Sequence, residues 1–145
     1  MNADIEPERL ESSRFSRSFN VLPDDTVSFI NSSFPVLSTP ALVRQVERAC
    51  RIFLLENGGG QSVGAAIELV HSAPALLGSA ISIEVQIDRV ERRRVSFSYQ
   101  VRDEIEMLAS GKHTRVMIDL RKSGANLAKK AENLAGSRPN AGKDR

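Results

Sequence analysis

The chain reads as an α+β domain in which an antiparallel sheet wraps around one long helix. Three observations predict this. A single strong helical stripe opens at Ser38-Thr39-Pro40 and closes at Asn57-Gly58-Gly59-Gly60. Four segments of strand-like alternation follow it, separated by short turns. One further strand-like segment precedes it. No internal repeat is present, and 145 residues are about one domain's worth.

Three regions follow from the pattern: a loose polar segment over 1–13, a folded domain over 14–122, and a basic, partly disordered tail over 123–145. Residues 14–21 can form a strand, with Phe15 and Phe19 spaced four apart. Pro23-Asp24-Asp25 then turns the chain. Thr39 suits a helix N-cap and Pro40 the first helical position, where a missing N–H costs nothing. Leu42, Val46, Ala49, Cys50 and Phe53 recur at helical spacing, and Val43 and Leu54 widen the stripe. The glycines after Asn57 accept the left-handed conformation in which helices end.

Val63, Ala65, Ile67, Leu69 and His71 share one parity, and residues 73–78 connect to the next strand. Ile81, Ile83, Val85 and Ile87 alternate with polar residues, the cleanest strand pattern in the chain. After a turn at Glu91-Arg92, Val95, Phe97, Tyr99 and Val101 alternate in the same way, and Asp103-Glu104 turn the chain again. The last strand changes parity, from Ile105 and Met107 to Val116, Ile118 and Leu120. That change predicts a β-bulge near Ser110-Gly111. Residues 123–135 read as a weak helix and 136–145 as disordered. A small sheet around one helix leaves an open edge, so a second copy of the chain is expected beside it.

The formal net charge is +2, which at first points to an anionic partner. Its distribution removes that reading. Residues 1–120 hold 13 Lys+Arg against 16 Asp+Glu, whereas 121–145 hold 7 against 2. The excess belongs to the tail, which has no interleaved aromatics for stacking nucleic-acid bases. One cysteine, Cys50, excludes an intrachain disulfide and a multi-cysteine zinc site, and two histidines are too few for a histidine-rich metal centre. The uncharged stretch 69–83 carries Ser72, Pro74, Gly78, Ser79 and Ser82 and is too short and too polar to span a bilayer. The acidic N-terminus lacks the regions of a signal peptide, which predicts a cytoplasmic protein.

Three residues stand out as chemistry. Glu47 sits among Val43, Val46, Cys50 and Leu54 at helical spacing, in or beside the apolar stripe. A carboxylate there is costly unless paired. It reads either as a general base or nucleophile toward an acyl carbon, or as a flank glutamate paired with Arg44, Arg48 or Arg51. His71 ends a strand and reads either as a satisfied core histidine or as an acid/base group. Thr39 reads as a helix cap or as a hydroxyl beside the free N–H groups of Ala41 and Leu42, where a developing oxyanion could be held. Cys50 reads as core packing. Gly58-Gly59-Gly60 follows a helix rather than opening one, which is the wrong context for a phosphate loop.

These residues, taken with Phe34-Pro35, Gly64, Val70-His71-Ser72-Ala73 and Gly111-x-His113-x-Arg115, resemble the hot-dog-fold thioesterases related to fluoroacetyl-CoA thioesterase. The likeness runs from about Phe15 to Lys122. It implies a hot-dog fold and a catalytic set of Thr39, Glu47 and His71. It places Gly64 and Arg115 near the acyl and thioester region, and Phe34 as an aromatic that lines or gates the pocket. Coenzyme A would enter as part of an acyl-CoA substrate, with no separate cofactor or metal.

Helix geometry adds an expectation of its own. Eight residues at 1.5 Å rise separate Thr39 from Glu47 by roughly 12 Å, too far for both to touch one thioester carbon. Both act on it only if Thr39 comes from one subunit and Glu47 from another, in a homodimer or a dimer of dimers. The resemblance makes hydrolysis of a small acyl-CoA the leading function. The alternative is a non-catalytic acyl-CoA binding module on the same fold. A hydratase or dehydratase is disfavoured, because neither histidine lies on the helix.

Overall fold

The structure, a computed structural model, describes residues 7–137. Its elements are α1 (Pro7–Leu10), β1 (Arg14–Asn20), a short pair β2 (Thr26–Val27) and β3 (Val36–Leu37), α2 (Thr39–Glu56), β4 (Ser62–His71), β5 (Ala80–Glu91), β6 (Arg94–Arg102), β7 (Met107–Met117) and α3 (Leu120–Gly136). Five strands form one antiparallel sheet in the order β1-β5-β6-β7-β4, and β2 and β3 form a separate ribbon. The α+β reading holds, with α2 against the inner face of the sheet.

The alternation of β5 and β6 creates that face. Ile81, Ile83, Val85, Ile87, Val95, Phe97, Tyr99 and Val101 are all buried. They meet Ala41, Leu42, Val46, Ala49, Cys50 and Leu54 of α2. Phe15 of β1 stacks on Phe53 with ring centroids 4.0 Å apart, closing the core on that side. Cys50 lies within this core, where burial pushes its thiol up to about 12, so it packs rather than reacts.

The start of α2 differs from expectation by one residue. Ser38, not Thr39, is the N-cap, and its Oγ accepts from the Ala41 N–H at 3.3 Å. Thr39 and Pro40 are then the first two helical residues, and Pro40 still occupies a position where no N–H is needed. The shift leaves the Thr39 hydroxyl free of capping.

Strand β7 departs further. Its inner face is the odd series Ala109, Gly111, His113, Arg115 and Met117, while Val116 and Ile118 lie on the other parity and are partly covered. Leu120 is exposed and already belongs to α3. The pairing slips between Val101 and Arg102, opposite Met107 to Ala109, so the bulge is at Leu108 rather than at Ser110-Gly111. Apolar parity pointed to the wrong face because two of the buried positions carry His113 and Arg115. Gly111 serves another purpose. A Cβ there would collide with the Glu68 carbonyl and with the Tyr99 hydroxyl, which donates to that carbonyl at 2.6 Å.

The two ends of the chain also correct the reading. Residues expected to be loose include α1, whose Leu10 is buried in the core. Glu11 accepts the Val90 N–H at 2.9 Å, which ties the segment to β5. Helix α3 begins three residues earlier than expected, because Asp119 caps it through the N–H groups of Arg121 and Lys122. It buries no residue, and the expected disorder beyond Ser137 lies outside the described residues. Truncation after Lys122 is expected to change unfolding stability by no more than about 0.5 kcal/mol, since α3 buries no side chain. Urea unfolding of the shortened chain checks this.

Candidate active site

Two clusters of polar side chains lie along α2 and β4. The first joins the start of α2 to the end of β4. Thr39 Oγ1 lies 2.8 Å from His71 Nδ1. The other ring nitrogen, His71 Nε2, is buried and has no hydrogen-bond partner. A buried polar atom without a partner is uncommon and marks a place that a bound group completes. Beside the pair is a cleft of about 460 Å³, walled by Val27, Phe29, Ile30, Val36, Ala73 and Pro74. A largely apolar pocket with the Thr39 hydroxyl and the His71 imidazole at its wall suits an acyl group whose carbonyl needs polarising.

Phe34 is not part of that wall. It is 59% exposed, and its N–H bonds to the Asn31 carbonyl in a turn held by the Asn31 side chain. Phe29 and Ile30 of the same loop do line the cleft, although they are themselves 84% and 70% exposed. Neither had a signal in the sequence, because loop residues follow no periodicity. The backbone donors expected beside Thr39 are also engaged. The Ala41 N–H goes to Ser38 Oγ and the Leu42 N–H to the Ser38 carbonyl. Neither N–H is left free to hold an oxyanion at this helix start.

The second cluster lies two helical turns on. Glu47 Oε2 is 3.7 Å from an Arg115 guanidinium nitrogen. Its partner is thus on β7, not among the helix arginines. Arg115 is only 4% exposed and is held on every side. Its Nε donates to Ser62 Oγ at 2.8 Å and one terminal nitrogen to the Ser62 carbonyl at 3.0 Å. The nitrogen facing Glu47 also donates to His113 Nε2 at 3.2 Å. Burial lowers the Arg115 pKa, and the Glu47 carboxylate opposes that shift, so the guanidinium keeps its charge. His113 is buried too, stacked near Phe97, and its Nδ1–H donates to the Ala66 carbonyl at 2.8 Å. His113 and Ser62 were not singled out as site residues, because their role rests on packing between β4 and β7.

Gly64 completes this cluster. A Cβ built on it would stand 2.5 Å from Glu47 Oε2. The glycine is needed for the space the carboxylate occupies, at a point where the β4–β7 register slips between Gly64 and Ala66. Gly64→Ala is expected to displace the carboxylate and lower kcat about tenfold or more. Stability should change little, because the backbone there suits any residue. Matched kinetics and thermal melts check both.

The pKa of His113 is lowered chiefly by burial, against the raising effect of its bond to Ala66. The unfolded chain therefore takes up a proton that the folded one refuses. His113 is expected to contribute stability that is present at neutral pH and is lost as pH falls below about 6.5. Unfolding free energies measured from pH 7.5 to 5 should carry this slope, and His113→Gln should remove it.

The two clusters do not meet within one chain. Thr39 and Glu47 are separated along α2 as the spacing predicts, and His71 and Gly64 lie near opposite ends of β4. Strand β4 is at the sheet edge, with Val63 46% and Val70 68% exposed.

Comparison with known proteins places this arrangement in a family. Residues 21–121 match the family model described as fluoroacetyl-CoA-specific thioesterase. The chain is 32% identical over 127 residues to the fluoroacetyl-CoA thioesterase of Streptantibioticus cattleyicolor, covering 81% of this chain and 91% of that protein. A solved structure of the fluoroacetyl-CoA thioesterase FlK superposes with a TM-score of 0.74 at 27% identity, covering 83% and 96% of the two chains. A hot-dog-like protein from Thermanaerovibrio acidaminovorans gives 0.72 at 26% identity, over 83% and 91%. A thioesterase superfamily member from Thermus thermophilus gives 0.78 at 23% identity, over 88% and 96%, a likeness of fold. The chain has the hot-dog fold and belongs to the fluoroacetyl-CoA-specific thioesterase family.

Proposed function

We propose that this thioester hydrolase cleaves a small acyl-CoA to the free acid and CoA, at a site completed by two copies of the chain. The observation that carries the reading is the pair of half-sites. Thr39 and His71 form one at 2.8 Å, and Glu47, Gly64 and Arg115 form the other. Each lacks what the other holds. The hydroxyl and imidazole can polarise a thioester carbonyl and move a proton, and the carboxylate can activate water or attack the acyl carbon. A long exposed β4 edge with Val63 and Val70 on it is a surface that a second copy can cover.

The geometry supports the following roles. Thr39 Oγ1 is a donor or a nucleophile, and His71 Nδ1 is placed to take or return its proton. Arg115 sets the Glu47 carboxylate and supplies positive charge beside it. Gly64 keeps the approach to that carboxylate open. Phe29 and Ile30 wall the acyl cleft, and Phe34 lies outside it. No described helix is long and apolar enough to cross a membrane.

The test is release of free thiol from a panel of acyl-CoAs, fluoroacetyl-CoA included. Hydrolysis of a short acyl-CoA that Glu47→Gln or His71→Ala abolishes would support the reading. Binding without turnover would favour a non-catalytic acyl-CoA module.

A further inference from the structure

His113 is one of only three buried polar residues among those described, the others being Ser62 and Arg115. All three belong to one connected network. No part of the chemistry above uses the imidazole itself, and it reaches neither Thr39 nor the acyl cleft. A buried histidine with both nitrogens engaged can still act through what it holds.

Its two bonds have opposite sense. Nδ1 faces the Ala66 carbonyl at 2.8 Å, and a carbonyl only accepts, so Nδ1 carries the proton. Nε2 faces an Arg115 nitrogen at 3.2 Å, and a guanidinium only donates, so Nε2 is the bare acceptor. Both contacts are satisfied by the neutral Nδ1–H form alone. The other neutral form would set carbonyl against lone pair at Ala66 and N–H against N–H at Arg115. The charged form would set N–H against N–H at Arg115 as well. The guanidinium nitrogen that His113 holds is the one facing Glu47.

We propose that His113 is a positioning residue, which as the Nδ1–H imidazole fixes Arg115 and through it the Glu47 carboxylate. Ser62 anchors the rest of the guanidinium through its hydroxyl and its carbonyl. The guanidinium is rigid and planar, so these two bonds set its plane, and the His113 bond is the third point that holds it, made at the nitrogen facing Glu47. Glu47 itself is 42% exposed, and its carboxylate lies between Arg115 and the space left by Gly64. Gly111-x-His113-x-Arg115 thus reads as one device. Alternation along β7 turns His113 and Arg115 to the same side.

The kinetic consequence rests on the thioesterase reading, and the tautomer does not. The first arm is histidine ¹⁵N NMR on the wild-type protein at neutral pH. The His113 ring is expected to show a protonated Nδ1 and an unprotonated Nε2. A protonated Nε2 would overturn the proposal whatever the enzyme's activity. The second arm uses three substitutions. His113→Gln places an acceptor near the Nε2 position and loses the donor to Ala66. His113→Asn keeps a donor near Nδ1 and loses the acceptor to Arg115. His113→Phe keeps the ring against Phe97 and loses both. We expect kcat to fall about tenfold in the Asn and Phe substitutions with KM within twofold, and the Gln substitution to restore most of it. Thermal stability should follow a different order, since the Gln substitution also loses a buried bond. Equal kcat for Asn and Gln, or rates that simply track stability, would overturn the positioning role. If the wild type hydrolyses no acyl-CoA, the functional reading fails, and the NMR result decides the clamp alone.

Discussion

Replacing Glu47 by Gln is expected to lower kcat for acyl-CoA hydrolysis by about 10²–10⁴, the range for losing a positioned proton acceptor. The amide has the same shape but neither charge nor useful basicity. Its effect on folding should be small. Glu47 is 42% exposed, so its ion pair with Arg115 is partly screened, and Arg115 keeps its bonds to Ser62 and His113. We expect a stability change of about 1 kcal/mol or less. The Glu47→Asp substitution separates two roles. It keeps the charge but draws it back by one methylene, so a general base should survive in part, whereas an in-line nucleophile should not. Stopped-flow thiol release with each protein is the measurement. A Glu47→Gln rate within threefold of wild type would remove the carboxylate from the chemistry.

Replacing His71 by Ala should cost a similar factor, about 10²–10⁴ in kcat, because the Thr39 hydroxyl loses the imidazole that bonds it. This substitution also tests the two-copy site. If Thr39 and His71 come from one chain and Glu47 from the other, mixing the His71→Ala and Glu47→Gln proteins generates heterodimers. In each of them, one site has lost both groups and the other is intact. With random exchange, half of the dimers are mixed and half of their sites work, so about one quarter of wild-type activity should return. If all three residues of a site came from one chain, no mixture could recover activity. The intrachain geometry sets the expectation: Thr39 and Glu47 are roughly 12 Å apart along α2. Their strand-borne neighbours His71 and Gly64 are roughly 20 Å apart along β4. Mixing under partially denaturing conditions, with mass spectrometry to verify exchange, makes a negative result decisive.

On the proposed reading, the cleft beside Thr39 and His71 holds the acyl group and so governs selectivity apart from the chemistry. Val27, Phe29, Ile30 and Val36 line it and take no proton. Substitutions at Phe29 or Ile30 should therefore shift the preference between acyl groups more than they lower the best rate. Phe34, outside that lining, should matter less.

Much of the fold was legible without coordinates because its elements advertise themselves through local periodicity. The α2 stripe, the alternation of β5 and β6 and the order strand, helix, four strands all rest on interactions of near neighbours in sequence with one buried face. Thr39, Glu47 and His71 stood out for a related reason, as polar groups at a helix start, on an apolar stripe and at a strand end. The spacing along a helix also set the distance on which the proposed two-copy site rests. Tertiary structure decided everything that depends on which residues oppose one another across the sheet. Polar residues facing inward on β7 inverted the apparent parity, so the bulge lay at Leu108 and the inner face carried His113 and Arg115. Glu47 found its partner on β7 rather than on its own helix. Ser38 took the cap and released the Thr39 hydroxyl to His71. Gly64 acquired its reason from a carboxylate seventeen residues earlier in the chain. Periodicity reports which face a residue prefers. Only the packing of α2, β4 and β7 reports what a buried polar group has met there, because that pairing is non-local and leaves no mark in any short window of sequence.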